Sequence, residues 1–267
     1  NDILIQQCYN NLIAETLHLK FCKTILGLNK KSMNHASLSE LGRFPLHYDI
    51  VNRLLKYCYR LENLTTEFPL LKDAFVCSKE LHFAQNTTWY SSIEKLLNIL
   101  NIQNIMTYSK KDFVTSLKQS QTKKYLMDWQ YSNETLKDGK LVTYLFLKTN
   151  FRLEKYLTIL RPEYRKPICR LRISAHRLFI ESGRYNNTPR TERICKNCTL
   201  NKIEDEEHFL IQCSKFTKER EELFDLISSK AKHFTSLEDK QKLFWILNCE
   251  ELDILNSVGK FLQKALP

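Results

Sequence analysis

The sequence predicts a mainly α fold: a helical bundle followed by a small helical or hairpin region built on a cysteine–histidine cluster. Three observations predict it. The 267 residues include only 5 glycines and 6 prolines, too few breakers for an all-β chain with its many tight turns. Apolar residues recur at helical spacing through most segments. Cys195, Cys198, His208 and Cys213 stand close together as C-x2-C-x9-H-x4-C.

The expected elements run in order. Ile3, Ile5, Cys8, Leu12, Ile13, Thr16, Leu17 and Leu19 share helical spacing, giving a helix over 2–26 that ends near Gly27. Asn34 is placed to cap a short helix over 35–41, stopped by Gly42. After the break at Arg43-Phe44-Pro45, helices are expected at about 46–62, 63–84, 90–103 (capped by Ser91 or Ser92), 110–137 and 140–160. Pro162 and Pro167 then force a turn. From Pro167 to Ser182, Ile168, Leu171, Ala175, Leu178, Phe179 and Ser182 share one face, with Gly183 in the C′ position. Ile173 and Ile180 fall on the opposite, basic side. Helices are expected again at 214–230, at 237–247 behind Ser236, and at 250–265, the last weakened by Gly259. This divides the chain into a helical segment 1–62, a helical stretch 63–160, a basic helix with the cysteine cluster over 161–230, and C-terminal helices 231–267.

Composition narrows the function. Net charge is +11, from 41 Lys+Arg against 30 Asp+Glu, which favours polyanionic partners. Of the 9 cysteines, the six outside the cluster lie scattered in apolar, helix-like stretches. That is the pattern of buried thiols in a reducing compartment, so an intracellular protein, nuclear or cytoplasmic, is expected. There is no signal-peptide pattern at the start and no apolar run long enough for a bilayer. The first residue is Asn1, not Met, which suggests a piece of a longer polypeptide.

A C-x2-C pair lets two thiolates chelate one ion from a turn. His208 projects from a helix-like stretch and Cys213 from just past its end, closing a Cys3His set that suits tetrahedral Zn2+. Four protein ligands leave no open position, so the zinc is expected to be structural. Arg193, Lys196, Lys202 and Lys215 lie near enough to offset the thiolate charge. Retroviral knuckles use C-x2-C-x4-H-x4-C. Here the middle spacer is nine, and no aromatic lies between Cys198 and His208.

The second feature is charge. Residues 161–193 hold nine basic side chains, eight of them Arg, against Glu163, Glu181 and Glu192. Arginine suits bidentate phosphate contact. Arg165, Lys166, Arg170, Arg172, Arg177, Arg184 and Arg190 are the candidate nucleic-acid contacts, with Tyr185 as the candidate for base stacking. His176 has no HExxH partner and reads as structural or phosphate-facing. Glu204-Asp-Glu-Glu207 reads as first-turn acid with Asp205 as cap. No Walker loop, GxSxG, GxGxxG or adjacent Asp-Asp pair occurs, so no catalytic residue is assigned.

Arg172-Ile-Ser-Ala-His-Arg-Leu-Phe-Ile-Glu-Ser-Gly-Arg-Tyr185, then Pro189-Arg-Thr-Glu-Arg-Ile-Cys195, then Glu204-Asp-Glu-Glu-His-Phe-Leu-Ile-Gln-Cys213 resembles the C-terminal, zinc-bearing end of non-LTR (long-interspersed-type) retrotransposon reverse transcriptases. Lys140 to Leu157 is similar to the stretch before it. Ile25-Leu-Gly-Leu-Asn-Lys30, with Glu40-Leu-Gly-Arg-Phe-Pro-Leu46, resembles the helical thumb that follows the polymerase palm. The resemblance implies a thumb over 1–62 that grips template–primer, and a C-terminal region that binds element RNA or target DNA during target-primed reverse transcription. It implies metal ligands at Cys195, Cys198, His208 and Cys213. The family's catalytic aspartates lie upstream, outside this chain. The alternative is a domesticated, zinc-stabilised protein–protein scaffold without nucleic-acid binding.

Overall fold

The computed structural model describes residues 13–64, 67–102, 105–135 and 141–266. All named elements among the described residues are helical, and the only β pairing among those residues is two isolated antiparallel bridges, Leu41 with Leu153 and Ile194 with Ile203. The mainly α expectation holds. The Ile3, Ile5, Cys8 and Leu12 part of the first expected helix lies outside the described residues, as do Lys140 and positions 65, 66, 103, 136 and 137.

Helix α1 (Ile13–Leu26) ends at Gly27, whose φ of 69° is the left-handed conformation of a helix C-terminus. Helix α2 spans Asn34–Glu40; Asn34 is its first residue and does not cap it. Helix α3 spans Leu46–Glu62, and its first free N–H, on Leu46, donates to Glu15 Oε2 at 2.7 Å. Helix α4 is Pro69–Phe83, starting late because Pro69 suits a first helical position. Helix α5 is Trp89–Ile99, and Thr88 caps it, not Ser91 or Ser92. Ser91 sits at the third helical position and returns its hydroxyl to the Thr88 N–H at 2.9 Å, closing a capping box. Helix α6 is Lys110–Thr135.

The expected helix over 140–160 is two pieces, α7 (Val142–Leu147) and α8 (Tyr156–Ile159). Between them the chain turns inward so that Lys148 meets Glu154, and Glu154 N donates to the Glu40 carbonyl at 3.1 Å. Helix α9 spans Pro162–Arg172, with Pro162 in its first turn and Pro167 inside it. Pro167 therefore forces no turn. The lost backbone bond costs on the order of 3 kcal/mol.

The expected helix over 167–182 breaks at Ser174, a left-handed residue with φ 53°. Ala175 N donates to Arg170 O at 2.8 Å and Ser174 N to Leu171 O at 3.3 Å, the paired bonds of a Schellman end. Ser174, not Gly183, is thus the C′ residue. The break also explains Ile173 and Ile180, which are 2% and 3% exposed: the interruption turns both into the core. Gly183 lies inside helix α10 (Phe179–Tyr185), where an added Cβ would stand 3.0 Å from the Arg193 side chain.

Helix α11 is Thr217–Lys230. Helix α12 is Asp239–Asn248, capped by Glu238 with Gln241, not by Ser236. Helix α13 is Leu252–Ala265. Gly259 lies inside it and lets α13 approach α9 so closely that a Cβ there would lie 2.4 Å from Tyr164 Cβ.

The described residues fall into two compact units, one within 1–15 and 44–131, the other within 16–43 and 132–267. The first has its own core around Val51, Leu55, Cys58, Phe75, Ile93, Leu97, Phe113 and Leu117. The second is built around Leu26, Tyr144, Ile168, Leu171, Phe209, Ile246, Val258 and Leu262. Among the described residues no helix is long and apolar enough to cross a membrane.

Candidate metal centre and basic loop

Two short pieces of backbone position the four ligands. The first is a hairpin. Cys195 N donates to Lys202 O at 2.8 Å and Glu204 N to Arg193 O at 2.9 Å, around the Ile194–Ile203 bridge. At its tip, Asn197 N donates to Cys195 Sγ at 3.4 Å. The second is a single π turn, His208–Gln212, closed by Cys213 N donating to His208 O at 2.7 Å. The wider turn brings His208 and Cys213, five residues apart, to the same side. Asp205 starts it, its Oδ1 accepting from His208 N at 2.9 Å.

The donor atoms of Cys195, Cys198, His208 and Cys213 all lie within 4.8 Å of one another. Cys198 Sγ is 3.3 Å from His208 Nε2, and Cys195 Sγ is 3.9 Å from Cys213 Sγ. Tetrahedral metal–sulfur and metal–nitrogen bonds of about 2.3 and 2.0 Å place neighbouring ligand atoms roughly 3.5–3.8 Å apart. The four residues therefore fit one metal ion. Burial pushes the Cys195 thiol up to about 12 and raises Cys213, while it lowers the imidazole of His208, keeping that ring neutral and ready to bind. An ion would displace the thiol protons.

Arg220, to which the sequence assigned no role, and Glu206, expected only as a first-turn acid, brace this region. Arg220, 7% exposed, reaches back from α11 to the carbonyls of Leu210 at 2.9 Å and Cys213 at 2.6 Å. The turn leaves those acceptors open. A signal for it existed: Arg220, Leu223 and Ile227 share one helical face, and all three are buried. Glu206, 3% exposed, accepts from Ser174 Oγ at 2.7 Å, His176 Nε2 at 2.9 Å and Thr143 Oγ1 at 2.9 Å. Burial alone would raise its pKa, but the bonds from His176 and Ser174 bring it down to about 2. His176 is thereby structural.

The eight basic-region candidates separate into three groups. Arg172 is corrected outright: it is 0% exposed. Its Nε donates to Glu40 Oε1 at 2.6 Å, its Nη1 to the Leu247 carbonyl at 2.5 Å and to Asn248 Oδ1 at 3.0 Å. No phosphate can reach it. Arg165 and Lys166 are half-buried and contact the protein itself, while Arg170 is exposed and holds one bond to it. Arg165 Nη1 donates to Leu157 O at 2.9 Å, the Lys166 stem crosses Gly27, and Arg170 Nε donates to Gly27 O at 2.9 Å. Arg170 thus sets its charge at the C-terminal end of α1.

The third group is exposed: Arg177, Arg184, Tyr185 and Arg190, with Tyr185 at 72%. Arg184 and Tyr185 end helix α10 and Arg190 lies in the loop that follows, a segment that Arg193 draws tight by donating to Thr188 O at 2.9 and 2.8 Å and to Ile180 O at 2.7 Å. Glu204 ties the start of α10 to the hairpin: its Oε2 accepts from Phe179 N and its Oε1 from Asn197 Nδ2, each at 2.7 Å. Lys196 lies 5.1 Å over the Phe179 ring, and Lys215 Nζ donates to Asn197 Oδ1 at 3.0 Å. The metal hairpin and the arginine loop are one braced piece.

In the other unit, His82 bridges Ser91 Oγ at 2.9 Å and Glu94 at 2.7 Å, the residue types of a hydrolytic triad. Ser91 Oγ is occupied by the capping box of α5 and sits 7% exposed. The arrangement secures a helix start.

No protein-family model, curated protein or solved structure matches the chain.

Proposed function

We propose that the chain is a nucleic-acid-binding module whose contact surface is residues 183–193, the end of α10 and the loop after it, braced by the candidate metal centre. In this reading it is the thumb and metal-bearing C-terminal part of a non-LTR reverse transcriptase, as the resemblance implies. It grips template–primer or element RNA for target-primed synthesis by a palm outside this chain. The ion is structural Zn2+, which suits three thiolates and an imidazole with no open position. Such a role places the protein inside the cell, in nucleus or cytoplasm.

The observation that carries the reading is the exposure of Arg184 and Tyr185 at the end of α10 and of Arg190 in the loop after it, a segment that Arg193 and the hairpin hold in place. Exposed arginines on a rigid support suit phosphates, and an exposed aromatic ring suits an unstacked base. Four phosphate contacts, from Arg177, Arg184, Arg190 and Lys196, predict a slope of log K on log salt of about −3 for a single strand. Filter binding of a structured RNA across a salt series tests this, and a flat response refutes it.

A second reading is the protein–protein scaffold. It draws on helix α4, where Leu70 is 85% and Phe83 68% exposed. It predicts no RNA affinity at moderate salt, with metal still required for folding of the second unit.

A further inference from the structure

The first unit holds a cleft of about 180 Å³ between α3 and α6. We infer that this cleft binds a single unstacked nucleotide, its base against Phe44 and Tyr48 and its phosphate between Lys56 and Lys118. The inference does not depend on the loop at 183–193.

The sequence places three kinds of group around the cleft. Tyr48, Asn52 and Lys56 recur at four-residue intervals, so α3 offers one continuous face. Across from it, α6 presents Val114, Lys118, Gln121 and Thr122 at positions that share a face. The aromatic end is set by packing: Phe44 and Tyr48 both meet the Tyr125 ring edge-on, at 4.9 and 5.4 Å between centroids. Such rings are fixed and half-exposed, which is what a flat ligand requires of a stacking wall.

Two amides, those of Asn52 and Gln121, also line the cleft. Gln121 is 4% exposed and its Nε2 makes one long bond, 3.4 Å, to the Tyr48 carbonyl. Asn and Gln amides match the paired donor and acceptor on a base edge. Lys56 and Lys118 form the exposed rim and have no ion pair among the described residues. Asp49 is the single acid on the lining, so the cleft keeps a charge of +1 and favours an anion. The volume is below the roughly 300–1,000 Å³ of sites for drug-sized ligands. It suits one planar ring and one phosphate, not a whole dinucleotide. The nucleotide can come from a free monophosphate or from one residue of a single strand.

The test is titration of the full chain, followed by backbone amide shifts, with adenosine and cytidine 5′-monophosphate, an eight-nucleotide single-stranded RNA and the duplex of that RNA. Saturable shifts at 44–56 and 114–122 with a monophosphate support a free-nucleotide site. The same shifts with the single strand alone support a site for one residue of a strand. Lys56→Ala with Lys118→Ala changes only exposed side chains and is expected to weaken the response about tenfold. Shifts with the duplex alone, no saturable shift with any probe, or full affinity in the double lysine variant each overturn the inference.

Discussion

Arg172 Nε lies 2.6 Å from Glu40 Oε1, and both side chains are fully buried. Tyr156 OH donates to the same oxygen at 2.8 Å, and Glu154 Oε2 lies 3.4 Å from Arg172 Nη2. Lys148 pairs with Glu154, so two acids and two cations balance inside the second unit. Burial works against the arginine's charge, yet the Glu40 carboxylate holds its pKa above the ordinary range. Removing one partner strands a buried charge. Arg172→Met is expected to cost about 3–5 kcal/mol, measured by chemical denaturation of the second unit's transition. Arg172→Met with Glu40→Gln recovers part of that loss; a double variant as unstable as the single contradicts the pairing.

The approach of α13 to α9 depends on a missing Cβ. Gly259→Ala places a methyl 2.4 Å from Tyr164 Cβ, a contact that backbone or ring must relieve by moving. The expected loss is about 1–3 kcal/mol in a thermal or denaturant melt. On helix propensity alone the same change stabilises by about 1 kcal/mol. The sign of the measured difference therefore decides between close packing and propensity.

Metal content tests the centre itself. The wild-type protein, purified without chelator, is expected to carry about one zinc ion per chain. Cys198→Ser is expected to carry none and to lose the melting shift that added zinc gives the wild type. Equal zinc in both proteins excludes Cys198 as a ligand.

Much of the fold was legible because helical periodicity is local. Helix α3 matches the expected 46–62, and α6 begins at the expected Lys110. What the pattern missed was decided by distant partners. The break at Ser174 follows from Glu206, 32 residues away, accepting the serine hydroxyl. The interruption of 140–160 follows from Lys148 and Glu154 turning toward Glu40 and Arg172. The cluster of four candidate ligands was legible because a C-x2-C pair is a short-range constraint; the fold brings the same four residues together. The basic run was only half legible. Composition counts charges, but it cannot tell that Arg172 faces Glu40 while Arg184 faces solvent.

Exposure of Tyr185 makes a local prediction. Tyr185→Ala is expected to weaken single-stranded RNA binding by about 1–3 kcal/mol, while Tyr185→Phe keeps most of the affinity, since stacking needs the ring and not the hydroxyl. Competition binding at fixed salt reads both. Equal loss in the two variants assigns the contribution to the hydroxyl.

The most direct test is RNA affinity of the Arg177→Ala/Arg184→Ala/Arg190→Ala variant beside wild type, across a salt series and with zinc content checked in both. The account predicts weaker binding, unchanged zinc, and a salt slope shallower by about 2. Unchanged affinity and slope in a folded, zinc-loaded variant would contradict it.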